Sequence, residues 1–301
     1  MIFRLEKMSK RGVEGTVLGT LCMPYLSGLG NLVFVFVVLN HSGDGSDVMI
    51  NCLVNNATNM TLLLGLPAVI WGLTVIPQKN KKSGKRAVKV ARVQRLSLVL
   101  TIAAMVIFTG IFWALAQDRY LSRGDGMVLI ALFLFWQGFH VYEVLKENIL
   151  KPNRASKGLL SDGIILLICG GIIYVSIDML VTWIMKIDTG FISKEQLGLL
   201  SGWLMVLPNG ILALYYAATK RPDVVYSSQL GDGHICIPLC VGLYAALQPF
   251  SIRYSYDSVL LLIAATSVIH AVCLIFIGRL PKLIASLLVA TYILFIILLP
   301  Q

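Results

Sequence analysis

The chain has 301 residues, of which 57% are hydrophobic and only 13% charged, with a mean hydropathy of +0.81. Soluble domains carry about 25% charged residues, so a water-soluble fold is excluded. The net charge of +10 has to be read by position, because it marks either a nucleic-acid surface or one side of a membrane.

Apolar runs long enough to cross a hydrocarbon core of about 30 Å recur along the chain, and a helix satisfies its own backbone there. They predict nine transmembrane helices at about 14–39, 48–77, 94–117, 126–149, 162–185, 196–219, 229–250, 258–278 and 283–300. The first residues, MIFRLEKMSKRG, are basic and lack the apolar core of a signal peptide, so span one acts as its own insertion signal. With the N-terminus inside, 20 of the 25 Lys and Arg fall on the cytoplasmic side, eight of them between Lys79 and Arg95. The positive-inside rule then places the N-terminus in the cytoplasm and the C-terminus outside. The partner is the lipid bilayer and not nucleic acid; the basic cytoplasmic loop 78–95 reads first as a topology determinant, with contact to anionic headgroups as the alternative.

Span one contains MPYLSGLGNL, an apolar helix that Gly28 and Gly30 interrupt, followed by the link HSGDGSD and then INCLVNNATNMTLLLGL. Span six repeats the organisation as WLMVLPNGIL, a link KRPDVVYSSQ, and LGDGHICIPLCVGL. By the charge assignment the two copies run in opposite directions. Inverted repeats with Gly- or Pro-broken helices build midplane ion sites in secondary transporters; the same residues also permit close helix packing. Asn31 and Asn209 sit at the two breaks. Asn51, Asn55 and Asn59 recur every four residues, so they share a helix stripe, with Asn56 beside it. Their amide oxygens suit a cation, and equally suit interhelical hydrogen bonds.

Asp178 and Asp232 are intramembrane acids, which are functional candidates by default. A packing role stands beside the functional one for each. His140 and His270 relay protons or pack. His234, Cys236 and Cys240 allow a soft-metal reading, although no fourth ligand is apparent. All six cysteines lie in or beside apolar spans, where thiols behave as small hydrophobes. No nucleophile elbow, phosphate loop, paired catalytic acids or HExxH pattern is present, so an enzyme is not expected.

Taken together, these pieces resemble the cation/calcium antiporter superfamily, particularly the prokaryotic sodium/calcium exchangers. LEKMSKRGVEGTVLGTLCMPYLSGLGNL is similar to the family's first signature helix, which normally holds a GTSLPE-type run, and NCLVNNATNMTLLLGLPAVI is similar to its Asn-rich second one. LSRGDGMVLIALFLFWQGFHVYEVLK, QLGDGHICIPLCVGLYAAL and IGRLPKLIASLLVATYILFIILL match later helices in order and spacing.

The resemblance implies an all-α membrane fold in two inverted repeats, residues 1–158 with four spans and 159–301 with five, the family's first helix being absent. It implies an ion site of Ser27, Asn31, Asn55, Asn59, Asn209, Cys236 and Cys240, the two cysteines standing in the second repeat where Asn55 and Asn59 stand in the first, supported by Asn51, Asp232 and Asp178. Asn31 and Asn209 stand where the family has its ligand glutamates, which leaves no carboxylate among the first seven. The implied function is secondary cation transport with an altered or weakened site, in a prokaryotic inner membrane. No cofactor is implied beyond a transported monovalent or divalent cation such as sodium or calcium. The alternative is a transport-inactive homologue that serves as a structural subunit beside other membrane subunits.

Overall fold

The computed structural model describes Tyr25 and residues 28–75, 85–149, 159–187, 190–253 and 255–298. Nine helical rods run through these residues. The first is α1 (Leu29–Asn40). The second is α2 (Gly45–Thr58), which passes through a π-helical turn (Asn59–Leu63) into α3 (Leu64–Ile70). Then come α4 (Lys85–Leu115), α5 (Arg123–Ile149), α6 (Leu159–Ile184) and α7 (Leu197–Ala218). The rod α8 (Pro222–His234) likewise continues through a π-helical segment (Ile235–Val241) into α9 (Gly242–Leu247). Last are α10 (Asp257–Val272), with its own π-helical end (Cys273–Ile277), and α11 (Lys282–Leu298). Six rods are long and apolar enough to cross a membrane by length and composition.

Local chemistry moves several boundaries from the hydropathy reading. The second rod starts at Gly45 because the Asp44 side chain caps it, accepting from Ser46 N at 3.0 Å. It stops near Trp71 because Gly72 turns into the left-handed region at φ +77. The polar link expected before residue 229 is itself helix, opened by Pro222 in the first turn with Asp223 beside it. The expected break at Pro208 and Gly210 is absent: α7 runs unbroken from Leu197 to Ala218 with Pro208 inside it. The irregularities lie in the next rods instead, as the π-helical segments, where one extra residue per turn re-aims the side chains that follow.

The long rods 45–70 and 222–247 start 177 residues apart (222 minus 45). The two-residue strands that follow them, β1 (Leu73–Thr74) and β3 (Phe250–Ser251), keep that offset. Strand β2 (Tyr120–Leu121) precedes α5, and β4 (Arg279–Leu280) precedes α11. β1 pairs antiparallel with β4, and β2 with β3, so each half clasps the other.

The core lies between α2 and α7, with α8, α9, α4 and α5 around it. Close approach of α2 and α7 depends on Gly198 and Gly202, a small-xxx-small pair. A Cβ on Gly198 would stand 2.7 Å from Asp47 O, and one on Gly202 3.0 Å from Asn51 O. Gly198→Ala therefore forces backbone apart and should cost about 1–3 kcal/mol. Gly110→Ala, which meets nothing within 4 Å, should be neutral or stabilise by up to about 1 kcal/mol. Thermal unfolding of the two variants in detergent should separate them in that order.

Candidate functional site

One buried carboxylate organises the interior. Asp232 is fully buried in α8, three residues before the π-helical segment. Its Oδ2 accepts from Asn55 Nδ2 at 2.5 Å, Asn59 Nδ2 at 2.7 Å and Asn209 Nδ2 at 2.8 Å. An isolated ionised carboxylate in an apolar interior is heavily penalised. Three amide donors offset that, each hydrogen bond to a charged group contributing about 1.5–3 kcal/mol. Each donor comes from a different place: Asn55 from α2, Asn59 from the π-helical turn, and Asn209 from α7 one residue after Pro208.

Asn55 and Asp232 are themselves 177 residues apart, the separation at which the two long rods start. The central hydrogen bond thus joins residues holding the same place in corresponding rods. Asn59 corresponds in the same way to Cys236, whose Sγ lies 3.0 Å from Asn55 Nδ2. This corrects the four-residue shift in the sequence reading, which set Cys236 and Cys240 opposite Asn55 and Asn59. It also corrects the expectation of a site without a carboxylate.

Asn31 is buried and approaches the same acid from α1, and its side-chain oxygen has no hydrogen-bond partner. Gly28, just before α1, leaves room for the acid: a Cβ there would be 3.1 Å from Asp232 Oδ1. The side-chain oxygens of Asn31, Asn55, Asn59 and Asn209, and Oδ1 of Asp232, are all buried without a hydrogen-bond partner. A cluster of orphaned buried acceptors around one negative charge is unusual, because buried polar atoms are nearly always paired. Amide and carboxylate oxygens of this kind are the ligand type that hard cations take.

Other candidates fall elsewhere. Asn51 turns to α7 and donates to Ser201 Oγ at 3.0 Å, away from the acid. Asp178 is not an interior group: its carboxylate is 2.9 Å from His41 Nε2, with side-chain exposures of 40% and 31%. Cys240 lies with Cys236 against Cys52 of α2. The soft-metal reading fails, since no group of three His, Cys, Asp or Glu among the described residues can hold a metal ion. His234 instead bonds Thr101 O at 2.9 Å and packs edge-on to Phe108 and Trp136. Ser27 and the side chain of His140 lie outside the described residues.

His270 bridges Met60 O at 2.8 Å and Tyr226 OH at 3.3 Å, so it ties α10 to α8 and to the π-helical turn that carries Asn59. Sequence reasoning passed over Cys52, Gln229 and this link. Gln229 Nε2 reaches the Asn209 carbonyl at 3.4 Å; its place in a polar run gave no sign of burial.

Known structures share this architecture. The sodium-calcium exchanger NCX_Mj soaked with 100 mM Na+ and 10 mM Sr2+ superimposes with a TM-score of 0.72 at 16% identity, covering 100% of this chain and 92% of that one. The same exchanger soaked without Na+ and Ca2+ gives 0.68 at 16% identity, covering 98% and 90%. No curated protein matches the sequence. The family model described as sodium/calcium exchanger protein matches residues 1–141 and 163–299. The chain is an integral membrane protein and belongs to the sodium/calcium exchanger family.

Proposed function

We propose that the chain is a secondary transporter for a monovalent cation, with sodium the first candidate, bound at Asp232 and the surrounding amides. The observation that carries this reading is the set of unpaired oxygens of Asn31, Asn55, Asn59 and Asn209 about a single carboxylate. One negative charge balances one monovalent ion. A divalent ion there would keep one positive charge buried without a counterion, a strongly unfavourable arrangement. Calcium also prefers six to eight hard oxygens, with affinity set by how many are charged.

Asparagine suits the exchange of states because one amide carries both a donor and an acceptor. The N–H groups of Asn55, Asn59 and Asn209 face Asp232 and solvate its charge; rotation of the amides would present their oxygens to a cation. The two matched stretches of the chain support two inverted halves, 1–158 and 159–301. The charge partition supports a cytoplasmic N-terminus.

In reconstituted vesicles, the wild type should carry sodium flux and little calcium flux. Asp232→Asn should reduce sodium flux at least about tenfold, since it removes the ionic counter-charge that the described residues supply. Calcium exchange as fast as sodium flux would overturn the monovalent reading. A correctly folded wild type with no monovalent flux would favour the second reading, a transport-inactive subunit of a larger membrane complex.

Asn209→Glu places a second carboxylate beside Asp232, and Asn31→Glu with Asn209→Glu adds a third. Calorimetric calcium binding should rise from wild type through the single variant to the double, following ligand charge. Equal, negligible binding in all three would remove the charge-counting argument.

Cysteines introduced at the exposed Ser42 and Thr219 should be labelled by an impermeant maleimide from opposite sides, Ser42→Cys from outside and Thr219→Cys from the cytoplasm. Labelling of both from one side would contradict the orientation.

A further inference from the structure

His270 makes two hydrogen bonds outside the ion site, and they close a second path between the elements that carry Asp232 and Asn59. Its Nε2 is 2.8 Å from Met60 O and its Nδ1 3.3 Å from Tyr226 OH. A carbonyl only accepts, so Nε2 carries the proton; a neutral ring then accepts at Nδ1, and the tyrosine hydroxyl donates to it. Met60, Tyr226 and His270 are all fully buried, and the two rings meet edge to face at 5.6 Å. Met60 is the residue after Asn59, inside the π-helical turn Asn59–Leu63. Tyr226 is six residues before Asp232 in α8, about 9 Å along the helix. The turn and α8 are therefore joined twice, directly by Asn59 Nδ2 on Asp232 Oδ2 and indirectly through Met60, His270 and Tyr226.

The π-helical segments of the two long rods are maintained differently. The segment Ile235–Val241 contains Pro238, whose missing N–H interrupts the α-helical ladder by covalent structure alone. The turn Asn59–Leu63 has no proline and takes a donor from outside, His270, at one of its carbonyls. Three consecutive residues there lead to three rods. Thr58 Oγ1 lies 3.1 Å from Tyr292 OH of α11, Asn59 bonds Asp232 of α8, and Met60 bonds His270 of α10. Of these, the Asn59 bond is the one given up when its amide turns an oxygen to a cation. The relay through His270 and Tyr226 is then what keeps the turn against α8.

We propose that His270, together with Tyr226, is a positioning residue for the bound ion: it holds the turn of Asn59 against α8 while Asn59 is released from Asp232, and so sets the sodium affinity of the site. This rests on the transport reading above.

The test is sodium binding by calorimetry and sodium flux in reconstituted vesicles, on the full chain. His270→Leu and Tyr226→Phe should each weaken sodium binding and raise the KM for sodium about fivefold, the worth of one hydrogen bond, with the maximal flux unchanged. Tyr226→Phe removes a single hydroxyl and keeps the ring packing, so it reads the relay even where His270→Leu folds poorly. His270→Gln, which keeps an N–H for Met60 and an oxygen for Tyr226, should recover most of the affinity. Thr58→Val removes the bond to α11, which carries none of the site, and should leave the KM where it was. Unchanged affinity in both His270→Leu and Tyr226→Phe, an equal loss in Thr58→Val, no recovery in His270→Gln, or a fall in maximal flux at constant KM would each overturn the relay alone. A wild type that neither binds nor carries sodium would overturn the transport reading and the relay with it.

Discussion

The interior depends on keeping one carboxylate charged, or ready to be charged, in the middle of an apolar bundle. Asp232 achieves this with amide donors from α2, its π-helical turn and α7, so helix positions and charge solvation are a single problem. If α2 moves away from α7, the acid loses donors as well as packing. The glycines at 198 and 202, which let the two helices touch, therefore serve electrostatics as much as van der Waals contact.

The π-helical segments are the local device behind this arrangement. They shift the register of the side chains that follow within rods that otherwise run straight, while Asn55 and Asn59, four residues apart on one helix stripe, reach the same oxygen where the first of them begins. The register shift is secured from outside by His270, which takes up the Met60 carbonyl. A polar network of this kind is favourable only when its members are satisfied. Here the amide N–H groups of Asn55, Asn59 and Asn209 are satisfied and their oxygens are not, an imbalance that ordinary interhelical hydrogen bonding does not leave.

Much of the fold was legible because hydropathy and Lys/Arg position report directly on the bilayer. Nine rods follow the nine apolar runs, and departures occur where polar residues are buried. The run from Pro222 to Gln229 looked like a link because Ser228 and Gln229 are polar; both are buried against α7 and its surroundings. Starting that helix too late displaced the comparison of the two halves by one turn. Asp232 then became a supporting residue, and the cysteines appeared to stand opposite the asparagines. Asp178 misled for the opposite reason: an acid within an apolar sequence reads as buried, but its position on the helix turns it to His41 near the bundle's edge. A single sequence carries no information about which side of a rod finds a partner.

The two small β pairs have a mechanical consequence. They tie the ends of the rods containing α2, α4, α5, α8, α10 and α11 across the halves, one clasp formed by β1 with β4 and the other by β2 with β3. Six rods so cross-braced behave as a frame that resists hinging at either end. Neither α1, α6 nor α7 adjoins a clasp, and α1 and α6 lie against each other. α7 is held to the frame by its contact with α2, so the rods that can shift over it at low cost are α1 and α6, which would carry Asn31 with them while Asn55, Asn59, Asn209 and the acid stay in place.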